Sequence, residues 1–194
     1  VFSSLTTGDN NVAVGYEALY SNTTTSPGQI AVGYQALRSN TTGVLNQAMG
    51  YRALYANTNG QQNLAVGYEA LSTQTAGFYN HAFGYHALYA NTSGGYNSAF
   101  GHGALENNST ASNSVAVGYG TLNDSNGGDN TAVGTVALTL NTTGSGNTGL
   151  GRSALYFNTI GNYNVATGRS ALVGNTEGSN NTATGYQALN SNTT

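Results

Sequence analysis

The chain has 194 residues, of which only 6% are charged, with four arginines, no lysine, no cysteine and a net charge of −3. Phosphate backbones are bound by dense basic faces, so nucleic acid is not an expected partner, and the missing cysteine removes disulfides and thiol chemistry. No apolar run reaches the length of a membrane span, and the apolar residues recur at fixed phase instead of scattering as in a disordered chain.

A nine-residue phrase, Asn-x-Ala-x-Gly-x-x-Ala-Leu, recurs along the whole chain; one copy reads Asn63-Leu64-Ala65-Val66-Gly67-Tyr68-Glu69-Ala70-Leu71. Its glycines are Gly15, Gly33, Gly50, Gly67, Gly84, Gly101, Gly118, Gly134, Gly151, Gly168 and Gly185, a mean period of 17 with one interval of 18 before Gly33 and one of 16 before Gly134. Such a period means units too small to bury a core alone, which must stack on their neighbours. The predicted architecture is all-β, a parallel β-solenoid (β-roll) of about eleven 17-residue coils forming a single repeat domain over 1–194.

Within a unit numbered from its glycine, Asn-x-Ala-x-Gly alternates with period two and predicts a short strand. A bend near Tyr-x follows, then a second short extended piece around Ala-Leu-Tyr. A turn such as Asn40-Thr41-Thr42-Gly43 or Asn141-Thr142-Thr143-Gly144 closes the unit, its asparagine bonding the backbone and its glycine taking positive φ. No unit offers ten residues free of turn formers, so helices are not expected.

Leucine stands at plus four in every copy: Leu19, Leu37, Leu54, Leu71, Leu88, Leu105, Leu122, Leu138, Leu155, Leu172 and Leu189. This is the predicted core column, flanked by near-constant alanines that imply a flattened interior. Asparagine recurs at plus seven and again four before the glycine, where stacked amides can bond along the axis. The position before the glycine faces away from the alanines and carries Val14, Val32, Met49, Val66, Phe83, Phe100, Val117, Val133 and Leu150. A single rod would leave this stripe wet over its length, so identical chains packed about the rod axis are expected to cover it.

Few residues point to chemistry. His81, His86 and His102 lie on adjacent coils but in three different columns, which reads as surface polar replacement and not a metal cluster. The segment 123–130 alternates oxygen-bearing side chains around a Gly turn, making Asp124, Asn126 and Asp129 a calcium candidate. No bidentate glutamate follows, and the shortened unit accounts for the same residues, so no metal and no cofactor is assigned. The acids Asp9, Glu17, Glu69, Glu106, Asp124, Asp129 and Glu177 are dispersed in the sequence, no serine or threonine has a fixed His or carboxylate partner, and enzyme activity is not expected. Threonine fills the plus-eight column from Thr6 and Thr23 to Thr193, and tyrosines gather at plus one, at plus five and, as Tyr79, Tyr96 and Tyr163, just before asparagine.

Two segments, Asn113-Ser114-Val115-Ala116-Val117-Gly118 and Asn130-Thr131-Ala132-Val133-Gly134, resemble the head repeats of trimeric autotransporter adhesins, the YadA-like group. The longer unit with Tyr-x-Ala-Leu-Tyr-x-Asn-Thr-Thr-Gly resembles repeats found ahead of the tail-fibre-type chaperone domain in phage and bacterial surface fibre proteins. The resemblance covers the whole chain, although the adhesin head unit is shorter than the 17 residues here. It implies a left-handed parallel β-roll, three chains and attachment to a surface. The expected function is a structural extracellular fibre or an adhesin stalk or head segment, on a cell surface or a virion fibre. Such a segment would meet copies of itself, as a trimer or an end-to-end filament, and a host or environmental surface. The alternative is a β-solenoid binding glycan or ice through stacked Tyr or Thr columns. Val1-Phe2 fills the Ala-Leu slots of a preceding unit and Thr194 stops short of the turn glycine, so an uncapped segment of a longer fibre is expected.

Overall fold

The structure, a computed structural model, describes residues 10–22 and 27–193. The Val1-Phe2 half-coil, Thr6, Asp9, Thr23 and Thr194 lie outside the described residues. Each copy of the phrase forms one three-residue strand: β1 Val12–Val14, β2 Ile30–Val32, β3 Gln47–Met49, β4 Leu64–Val66, β5 His81–Phe83, β6 Ser98–Phe100, β7 Val115–Val117, β8 Thr131–Val133, β9 Thr148–Leu150, β10 Val165–Thr167 and β11 Thr182–Thr184. They form one parallel sheet in chain order, and no helix occurs among the described residues.

Equivalent positions always pair: Ala48 faces Ala31 and Ala65, Gly149 stands between Ala132 and Ala166, and the register holds across the long interval (Ala13 with Ala31) and the short one (Ala116 with Ala132). The added and missing residues are therefore absorbed outside the strands. A one-residue slip would turn every alanine to solvent, which is why the phase is protected there.

The central residue of each strand, alanine in all but β9, where it is Gly149, faces inward and, with the residues at plus three and the leucine at plus four, makes the core. Ten of the eleven leucines are at most 1% exposed; Leu189, in the last coil, is 52% exposed because no described coil covers it.

The second extended piece around Ala-Leu-Tyr is not formed. That segment is a run of tight turns, closed by bonds such as Asn57 N to Leu54 O (3.2 Å), with the residues at plus two and plus four left-handed. All eleven leucines of the column have φ between 49° and 53°. A left-handed residue costs about 1–2 kcal/mol, whereas burying a leucine side chain returns about 1.5–3 kcal/mol, so burial holds the backbone where propensity would not. Each coil thus turns sharply enough to come back in 17 residues without a second strand.

The turn glycines also act differently from expectation. Gly43 and Gly144 do not have positive φ; a Cβ at Gly43 would run into the Gly60 carbonyl oxygen and the Asn40 amide oxygen. They are glycine because coils and side chains crowd there. The phrase glycine carries the positive φ instead, +137° at Gly33, and there too a Cβ would strike the next coil, at the Gly50 carbonyl.

Both asparagine columns are buried ladders. At plus seven, Asn57 Nδ2 donates to Asn40 Oδ1 (2.8 Å) and Asn175 Nδ2 to Asn158 Oδ1 (2.8 Å), while each also donates to its own turn, as Asn175 does to Gly178 O (2.9 Å). In the other column, Asn147 Oδ1 accepts from the Asn164 backbone N (2.9 Å) and Nδ2 (3.2 Å), and Asn147 Nδ2 donates to Gly161 O (2.8 Å). Gln29 and Ser125 keep the ladders going in place of asparagine: Asn46 N donates to Gln29 Oε1 (3.1 Å) and Asn141 Nδ2 to Ser125 Oγ (3.1 Å). At Gln74 the longer side chain bonds Asn91 and Asn80 but leaves the buried Asn57 Oδ1 with no partner.

Two stability predictions follow from the core and the ladder. Leu88→Met should cost less than about 1.5 kcal/mol, as volume-conserving swaps do, whereas Leu88→Ile should cost distinctly more, because branching at Cβ is poorly tolerated at positive φ. Val136, at φ 51°, is the only β-branched residue held so among the described residues, and it is not in the core column. Urea melts of the two variants that coincide would contradict this account of the leucine column. Asn147→Ala strands buried groups at about 1–3 kcal/mol each, while the exposed Asn59→Ala should stay within about 0.5 kcal/mol. Equal losses of melting temperature would remove the ladder from the list of stabilising contacts.

Candidate functional site

A coil this thin has three outward surfaces, and each repeats one column of side chains at coil spacing. The first is the outer face of the sheet. Val14, Val32, Met49, Phe100, Val117, Val133 and Leu150 are exposed there, at 37–57%, while Val66 and Phe83 are half-buried. The rings of Phe83 and Phe100 stack at 4.8 Å. Sequence reasoning placed one column on this face, but the residues two earlier lie on it too, and they are mixed: Val12, Ile30, Leu64, Val115 and Val165 are interspersed with Gln47, His81, Ser98 and three threonines. The period of two that assigns the first column assigns the second, so the signal was present.

The second surface is the bend after the sheet. Tyr16, Tyr34, Tyr51, Tyr68 and Tyr85 stack at 4.9–5.3 Å with interplanar angles of 6–13°, and His102 and Tyr119 extend the file. Each ring gives its faces to its neighbours and its edge and hydroxyl to solvent. Glu17 beside it holds the Tyr16 hydroxyl above the ordinary tyrosine value; at Tyr68 burial among neighbouring rings raises it first and Glu69 second.

Next to the rings, the fold gathers charges that are scattered in the sequence. Glu17 Oε2 accepts from Arg38 Nε (2.6 Å) and Gln35 Nε2 (2.8 Å), Gln35 Oε1 accepts from Arg52 Nε (3.0 Å), and Arg52 lies 3.9 Å from Glu69. His86 then bridges Glu69 (Nε2, 3.2 Å) and Glu106 (Nδ1, 2.9 Å), and Glu106 accepts from Asn123 Nδ2 (3.0 Å). The reading of the acids as dispersed is corrected: Glu69 and Glu106 both reach His86. Glu69 sits 17 residues before His86, in the same column of the adjacent coil, and the repeat brings them together. The guanidinium groups of Arg38 and Arg52 also lie over Tyr20, Tyr51 and Tyr55 at 5.1–5.9 Å. His81 is on the sheet and His102 in the ring file, so the three histidines do not converge.

The third surface is the turn edge. The threonine hydroxyls at plus eight are donated along the stack, as from Thr58 to Thr75 O (3.1 Å) and Thr142 to Thr159 O (2.9 Å). The calcium candidates bond the preceding coil: Asp124 accepts from Asn107 Nδ2 (2.7 Å), Asn126 from Ser109 N (2.8 Å) and Oγ (2.7 Å), and Asp129 from Asn113 Nδ2 (3.1 Å). Among the described residues, no three His, Cys, Asp or Glu form a metal-binding group and no helix is long and apolar enough to cross a membrane.

No family model, curated protein or solved structure matches the chain.

The Arg38 guanidinium first, and Gln35 second, hold the Glu17 carboxyl below its ordinary value. A depressed carboxylate contributes stability above its unfolded pKa of about 4.3 and loses it as pH falls through the lower folded value. Carbon-detected NMR titration should therefore place Glu17 below about 4.3, and Arg38→Gln should move it back up. A titration unchanged in the variant would break the assignment.

Proposed function

We propose that this chain is a structural segment of an extracellular fibre, giving reach and surface attachment or filament assembly, with identical chains covering the sheet face. The observation that carries this reading is the apolar column of the outer face, which runs from Val14 to Leu150 for roughly 40 Å at about 4.8 Å per strand and is continued by Thr167 and Thr184. Soluble monomers rarely expose contiguous apolar patches beyond a few hundred Å². The ring file, the threonine column and both asparagine ladders direct their interactions along the stack, as suits a part whose task is to hold a length. The face requires a cover; the number of three chains about the rod axis comes from the resemblance to trimeric adhesin head repeats. Glycan binding along the plus-one Tyr file, or ice binding by the Thr column, has less support, because those ring faces are occupied by one another and the threonine hydroxyl protons are donated along the stack.

Sedimentation equilibrium at micromolar concentration should give about three times the 19.8 kDa chain mass. Val117→Lys with Met49→Lys should shift it to the monomer with unchanged circular dichroism, because charge on that face opposes burial without touching the core. Monomer mass for the unaltered chain would overturn the covered-face reading.

A further inference from the structure

The repeat departs most from uniformity on the turn edge of the coils around β4 to β6. Phe78 is the single aromatic residue in its column, which otherwise holds Val44, Gln61, Gly95, Ser112 and small or polar residues. Gly95 makes room for it: a Cβ there would lie 3.1 Å from the Phe78 ring. Phe78 meets Tyr79 and Tyr96 edge-on, at 5.9 and 5.3 Å, while Tyr79 and Tyr96 stack at 5.1 Å. All three are exposed.

Tyr96 covers one face of Tyr79, and on the other side the preceding coil has Gln62 and not a ring in that column. There the surface opens into a cavity of about 230 Å³ lined by Asn59, Gln61, Gln62, Ala76, Phe78 and Tyr79. The Asn59, Gln61 and Gln62 side-chain amides make no hydrogen bond within the described residues, whereas ladder amides such as Asn63 and Asn80 bond from coil to coil and to the turns. The backbone holds the platform in place, through the Gln61–Phe78 bridge and the bond from Tyr79 N to Gln61 O (3.1 Å).

We infer that this cavity binds one pyranose ring of a neutral sugar, packed against the exposed Tyr79 ring and hydrogen-bonded by Asn59, Gln61 and Gln62. An aromatic face takes the C–H side of the ring, and each amide offers a donor and an acceptor to neighbouring hydroxyls. No charged residue lines the cavity, which disfavours an anionic ligand. A wholly apolar ligand would strip water from three amides without replacing their bonds. The volume is below the roughly 300–1,000 Å³ of drug-sized sites and suits one ring, not an oligosaccharide groove. The site is on a different surface from the apolar sheet face, so its test is independent of the oligomer.

Saturation-transfer NMR on the full chain would use methyl β-glucopyranoside, methyl β-galactopyranoside and methyl N-acetyl-β-glucosaminide, with sorbitol and p-cresol as controls. At least one glycoside should receive transfer on the C–H protons of one ring face, and sorbitol should not. Tyr79→Ala should reduce the signal at least about fivefold, as loss of a stacking face does, while Tyr163→Ala, in the same column of a distant coil, should leave it unchanged. Gln61→Leu with Gln62→Leu keeps the ring and should also abolish transfer, which carries the test should Tyr79→Ala unfold. Absence of transfer to all three glycosides, equal loss in Tyr163→Ala, or binding of p-cresol alone would overturn the proposal.

Discussion

Everything in this molecule depends on each coil bonding its own equivalent in the next. The strands pair alanine to alanine, and the turns continue the same rule, as where Thr41 N meets Thr58 O at 2.9 Å and Thr58 N meets Thr75 O at 3.0 Å. Backbone groups that a coil cannot satisfy by itself are satisfied only if the next coil has the same path, so the path is copied. The buried asparagines impose the same constraint on side chains. Interior asparagines of the pre-strand column, such as Asn46, Asn147 and Asn164, accept from the backbone of the next coil and donate to the turn after it, so loss of one amide strands groups in two coils.

That copying turns short-range choices into long columns. A tyrosine after the glycine becomes a file of stacked rings, and a hydroxyl at plus eight becomes a line of donors spent on carbonyls. The charged residues show the same effect. Glu17, Arg52, Glu69 and His86 are 17 or 18 residues from one another or from Gln35, and coil stacking places them in one hydrogen-bonded file along the bend. Most of their interactions run parallel to the axis, leaving the sheet face, which is apolar and unspent, as the surface for lateral association.

Irregularities are then informative. Gln29 and Ser125 replace asparagine with the ladder retained, because their oxygens reach the same donors. Gln74 is too long to return a proton to Asn57, and the adjoining coils also carry Phe78, Gly95 and three unengaged amides. The departures cluster beside the cavity at Tyr79, and a binding cavity in a ladder protein has to be made from such breaks.

The period, the strand phrase, the leucine column and the two asparagine columns were legible in the sequence, because they are properties of spacing and a fixed phase allows one stacking solution. The apolar sheet face was half legible, since its second column follows from the same alternation. Other features were decided by the tertiary structure. The leucines sit left-handed, against local propensity, because only burial between coils offsets that cost. The turn glycines are required by the carbonyl of the next coil and not by φ. His86 meets two glutamates, and Tyr79 lines a cavity with Gln61 and Gln62, only because residues about 17 positions apart become neighbours. Spacing alone names the columns; which groups in them touch, and which remain unspent, depends on side-chain length and direction across the gap between coils.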